Sequence, residues 1–152
     1  MNPKLLAFVV IVAVAAGAAI VIWMAGAEMR AAWRHPAVQG GRVRDEARVG
    51  GVEGADMPRL HGRGVVALID DELVFVMASP PHHVLRIAVH QVTTVDLTSA
   101  LRLRGRWLHN RRHWLRVRWQ TGTGVATIGF VVPDPALWAR VLRHASHRDT
   151  SG

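Results

Sequence analysis

Residues Leu5 to Ala27 read LLAFVVIVAVAAGAAIVIWMAGA, 23 consecutive positions without a charged side chain. As an α-helix this run spans about 34 Å, enough to cross a hydrocarbon core of about 30 Å with modest tilt. A helix is also the one single-segment structure that satisfies its own backbone in lipid. The expectation is one transmembrane helix over residues 5–27. A secretory signal is the competing reading, with Lys4 ahead of the run and Ala25-Gly26-Ala27 as a place to cut. Signal cores usually run only about 7–15 apolar residues, which favours an uncleaved anchor. Trp23, Arg30, Trp33 and Arg34 are the expected membrane-interface residues.

Flanking positive charge sets orientation. Lys4 alone precedes the run, whereas Arg30, Arg34, Arg42 and Arg44 follow it. A single-pass plasma-membrane protein is expected, with a short N-terminus outside and the rest cytoplasmic. Ala13 and Gly17, and Ala15 and Ala19, are small residues four apart, a spacing that lets a second helix approach. In so alanine-rich a run such spacings arise readily by chance, and a plain anchor is the better account.

Beyond the run, residues 28–62 have the composition of a juxtamembrane segment and flexible linker. Gly40-Gly41, Gly50-Gly51 and Gly54 interrupt mixed charges with no sustained apolar period. From residue 63 the period becomes that of strands. Val65–Asp70 and Glu72–Ala78 flank the turn pair Asp70-Asp71, and Ser79-Pro80-Pro81 stops the second run. His83–Val89, Val92–Leu97, Leu101–Leu108, His113–Gln120 and Val125–Val132 complete seven candidates, with turns at His109–Arg112 and Thr121–Gly124. Short strands at this spacing indicate a sandwich or barrel. Asp134 then reads as an N-cap and Pro135 as the first helical residue. Leu137 or Trp138, with Val141, Leu142 and Ala145, makes one apolar stripe suited to closing a barrel mouth. The domain is expected over 63–147, with a disordered tail at 148–152.

Gly64-Val-Val-Ala-Leu-Ile-Asp-Asp-Glu-Leu-Val-Phe75 resembles the opening hairpin of bacterial pleckstrin-homology-like (PH-like) and GRAM-like domains, where G-x-L-x-L-T-x-x-x-L-x-F is typical. Arg86 to Leu97 is similar to the third and fourth strands of that family, and Asp134-Pro135-x-x-Trp138 to its closing helix. The sequence departs from the pattern at Ile69, where threonine is common, and at Ala88, where proline is common. The resemblance covers about Leu60 to Ala145. It implies a mainly β fold: a seven-stranded PH-like barrel or sandwich capped by a C-terminal helix. The family includes lipid binders and protein binders, so its fold does not choose a ligand.

Net charge is +8, carried by arginine apart from Lys4. Between Leu97 and Pro133 lie seven arginines and no acidic residue: Arg102, Arg104, Arg106, Arg111, Arg112, Arg116 and Arg118. If Leu101–Leu108 pairs with His113–Gln120, Leu101, Leu103, Trp107, Leu115, Val117 and Trp119 share the inner face. Five arginines then line the outer face together with Trp114, and Arg111 and Arg112 sit at the tip. Like charges opposed across strands repel. Three accounts fit: a solvated edge-protecting face, contact with anionic lipid, or an acidic protein partner. Nucleic acid is disfavoured by the anchor and by the lack of a recognition motif.

Nine histidines include no helical i, i+4 pair with a carboxylate beside it, so no metal site is expected. The chain lacks cysteine and any nucleophile-elbow or phosphate-loop pattern. The expectation is therefore a cofactor-free, non-catalytic binding or scaffolding module at the cytoplasmic membrane face. The alternative is an accessory subunit of a larger membrane complex.

Overall fold

The computed structural model describes residues 3–148. Helix α1 runs unbroken over Pro3–Arg34, about 48 Å at helical rise. Its apolar part is long and hydrophobic enough to cross a membrane, and none of it is buried. Pro36 ends it, because the residue before a proline is driven out of helical conformation. His35 turns extended, and its Nδ1 accepts from the Ala37 amide in a short 3-10 turn, Pro36–Val38. The Gln39 side-chain amide returns to cap the Trp33 carbonyl at 2.7 Å.

Seven antiparallel strands follow: β1 Val43–Glu53, β2 Gly62–Ile69, β3 Glu72–Met77, β4 Val84–Ala88, β5 Val92–Leu103, β6 Arg106–Thr121 and β7 Gly124–Val131. Their order in the sheet is β4-β3-β2-β1-β7-β6-β5. Helix α2, Pro135–Arg148, comes last. The fold is thus mainly β, as expected, with a C-terminal helix and an apolar N-terminal one. Of the expected tail, residues 149–152 lie outside the described residues.

The sheet curls around one interior. Leu85 and Ile87 of β4 share it with Val95 of β5, although these strands stand at opposite ends of the order. Phe75 and Phe130 meet near its middle, ring centroids 5.7 Å apart. Helix α2 packs on β5, β6 and the 3-10 turn Val89–Gln91. It is capped as expected: the Asp134 carboxylate accepts from the Leu137 amide at 2.9 Å. Trp138 and Leu142 are wholly buried, and the Trp138 indole N–H donates to Asp45 at 2.8 Å.

Two corrections reshape the domain. First, residues 28–62 are no flexible linker. They hold the last turns of α1, the 3-10 turn and β1, which is the central strand joining β2 to β7. Its alternation is real: Ala47, Val49 and Val52 point inward, while Arg44, Glu46 and Arg48 are exposed. Second, the β5–β6 turn is at Arg104-Gly105, not at His109–Arg112. Both residues have positive φ, 49° and 75°, and Leu103 pairs with Arg106 across them, which is the conformation a two-residue hairpin needs. Residues His109–Arg112 belong to β6. The register jumps from Thr98↔Trp114 to Ala100↔His109, so Asn110–His113 bulge opposite Ser99 alone.

Strands β2 and β3 are buried on both faces. Val66, Leu68, Leu73 and Phe75 fill the interior, whereas Val65, Ala67, Val74 and Val76 form an outer patch. That patch is covered by Met29 and Ala32 of α1 and by Val38 of the 3-10 turn, with Trp33 beside them. The apolar helix therefore ends inside the packing of the domain.

Candidate functional site

The seven arginines are exposed or half-exposed, but they do not share one face. The bulge at Asn110–His113 lets the end of the β5–β6 hairpin fold back across the outside of β1 and β7. There Leu101, Leu103 and Trp114 form a second, smaller buried cluster with Leu108 and Val131. Trp114, expected to be exposed beside Arg116 and Arg118, is 5% exposed for this reason. Gly129 makes room: a Cβ there would stand 2.0 Å from Leu101 Cδ2. Trp107, expected on the inner face, is 60% exposed. The fold-back distributes six of the seven arginines among three clefts and leaves Arg111 outside them.

Arg102, Arg116 and Arg118 border a cleft of about 370 Å³ with Trp107 and Glu53. The Arg102 guanidinium sits 5.8 Å from the Trp107 ring centroid. Arg116 is held within the molecule: its Nε donates to Asp96 Oδ1 at 2.8 Å, and its Nη2 donates to Asp96 Oδ2. Asp96 stands directly opposite it in the ladder. That hydrogen bond is the main reason the Asp96 carboxyl titrates below its ordinary range; the charges of Arg116, Arg118 and Arg143 add to it, and partial burial opposes it. In the sequence Asp96 lies one residue before the acid-free stretch, at the end of a candidate strand, and nothing local pairs it with Arg116.

Arg104 and Arg106 border a cleft of about 340 Å³ with Arg59, His61, Leu60 and Leu108. Arg104 Nε donates to the Val52 carbonyl at 3.0 Å, tying the hairpin end to β1. Arg111 is exposed on the bulge. Arg112 borders a third cleft, of about 220 Å³, with Arg48, Arg63, Glu46, Val131 and Pro133. Arg63 and Glu46 form an exposed pair at 3.2 Å. Both also border a groove of about 440 Å³ against α1, lined there by Ile22, Ala25, Gly26, Met29, Arg30 and Trp33. Arg48 and Arg63 escaped the sequence reading because one lies in the presumed linker and the other at its boundary.

Of the expected interface residues, Trp23 is 68% exposed within the apolar run, and Arg30 and Arg34 are exposed near the end of α1. Trp33 differs. It is half-buried on the domain, with the Arg44 guanidinium 5.6 Å from its ring centroid. Among the described residues no group of three or more His, Asp or Glu is placed to hold a metal ion. Comparison with protein-family models, curated proteins and solved structures finds no match to this chain.

Proposed function

We propose that the chain is a single-pass membrane protein whose C-terminal, PH-like domain is a non-catalytic binding or scaffolding module on the cytoplasmic face. The observation that carries this reading is the unequal burial along α1. Phe8, Val14 and Ile22 are 65%, 67% and 73% exposed, while Met29 and Ala32 of the same helix are built into the domain surface. Leaving so much apolar area in water costs about 25 cal/mol for each Å², and a bilayer removes that cost. The excess of arginine after the run supports a cytoplasmic domain. A meander in which β1 joins β2 to β7, closed by a C-terminal helix, supports the PH-like reading. The arginine clefts suit an anionic ligand, either lipid or an acidic partner.

Alkaline carbonate extraction of the full-length chain, combined with protease treatment of intact cells, tests the proposal. Retention in the membrane pellet with a protected C-terminal domain is expected. Release by carbonate overturns the anchor, and digestion of the domain in intact cells overturns the orientation.

A further inference from the structure

We propose that Arg30, Arg48, Arg63 and Arg112 form a headgroup site for an anionic phospholipid, where α1 meets the sheet. The inference rests on the membrane-anchored reading and adds the ligand class and its location. The groove against α1 and the cleft beside Arg112 share two wall residues, the ion-paired Glu46 and Arg63, so they adjoin across that pair. Together they gather four guanidinium groups and one carboxylate. The cleft beside Arg102 holds three arginines, but Glu53 borders it and Asp96 engages Arg116. The junction thus has more uncompensated positive charge than that cleft, and the cleft beside Arg104 and Arg106, with three arginines and no carboxylate, lacks the α1 wall that the junction has.

Its lining has two chemical halves. Ile22 and Ala25 belong to the apolar run and Met29 follows it, all presented by α1; Arg30 and Arg63 border the same groove. Arg30 folds back along the helix: its Nη1 is 3.3 Å from where a Cβ on Gly26 would stand. A guanidinium directed toward the end of an apolar helix is at the level of lipid phosphates. Arg63 of β2 borders this groove directly, and Arg48 of β1 and Arg112 of β6 border the adjoining cleft with it. The planar fork of arginine matches phosphate oxygens two at a time. A phosphodiester carrying acyl chains satisfies both halves, with its phosphate among the arginines and its chains along Ile22 and Ala25. Free phosphate satisfies only the cationic half.

The test uses the full-length chain exchanged into mixed phosphatidylglycerol and phosphatidylcholine. Retained lipid is counted by native mass spectrometry. Wild type is expected to enrich phosphatidylglycerol. Arg48→Gln with Arg63→Gln should lower the enrichment about fivefold per residue. Arg86→Gln with Arg140→Gln, matched in charge but exposed on β4 and α2 and bordering none of these clefts, should leave it unchanged. Arg48→Lys with Arg63→Lys should retain part of it, and an unaltered thermal midpoint in the glutamine variant separates lost binding from lost folding. No enrichment by wild type overturns the proposal, as does equal loss in the two glutamine pairs. Displacement of the lipid by excess inorganic phosphate overturns the choice of a lipid. Carbonate extraction of the same preparations keeps a failed anchor distinguishable from a failed headgroup site.

Discussion

Replacing Met29 with alanine should undock α1 from the sheet without unfolding the domain. Met29 is 6% exposed in a cluster with Ala32, Val38, Val65 and Val76. The substitution removes three heavy atoms and leaves a void at the edge of that cluster. Burial of this kind is worth about 2–5 kcal/mol, and a site at the rim of an interface belongs at the low end, about 2–3 kcal/mol. At 1.4 kcal/mol per tenfold, the undocked population should rise roughly 30- to 150-fold. The chain contains no cysteine, so a single introduced thiol reports exposure cleanly. Val76→Cys sits on the outer patch covered by Met29, Ala32 and Val38, and Val66→Cys on the inner face; both valines are almost fully buried. Maleimide labelling in detergent follows the open population when opening is fast. Met29→Ala should accelerate labelling at position 76 by the calculated factor and leave position 66 unchanged. A rise below about threefold at position 76 would refute the docking argument, because opening would then not depend on the Met29 contact. Equal acceleration at both positions would mean that α1 and the sheet unfold together.

Three further outcomes follow from the packing. Gly129→Ala forces its Cβ into Leu101 and should cost about 1–3 kcal/mol in chemical denaturation; Leu101→Ala in the same chain should recover part of that loss, since the two share one contact. Asp45→Ala leaves the buried Trp138 indole N–H without its acceptor and should cost about 1–3 kcal/mol, read as a lower thermal midpoint. Asp96 has a lowered pKa in the folded chain, so the unfolded chain binds its proton more readily. Its contribution is therefore full above about pH 5 and is lost as pH falls through the ordinary carboxylate range toward its own lower value. Asp96→Asn should flatten this acid limb and cost about 1 kcal/mol at neutral pH, the pair being partly exposed.

The apolar helix, the β2–β3 hairpin and α2 were legible because each has a local signal that tertiary packing reinforces: an uncharged run, an Asp-Asp turn between β-branched stretches, and an N-cap before a helical stripe. β1 was not, and the reason is chemical. Its inward positions include Asp45, a polar residue placed there to accept from Trp138, and Gly50-Gly51 lies where the register of β1 against β7 shifts. Charge and glycine together imitate a linker. The hairpin end was misplaced for a related reason. Arg104 adopts a backbone conformation for which asparagine or aspartate is the usual signal, while His-Asn-Arg-Arg looked like a turn and forms a bulge. Moving that turn changed which arginines stand together. The seven are identifiable from the sequence, but their grouping depends on a fold-back held by long-range contacts such as those at Gly50 and Gly129.

The absence of a break between the apolar run and the last turns of α1 means that the domain is indexed by helical phase. Each residue of helix advances 1.5 Å and turns about 100°. One residue inserted after Ala27 would swing the whole sheet by more than a quarter circle relative to Ile22, while hardly changing its height. Arg48 and Arg63 would then face a different side of the helix. A twist or tilt applied at the apolar end is transmitted by the same coupling as a change of bearing of the entire domain.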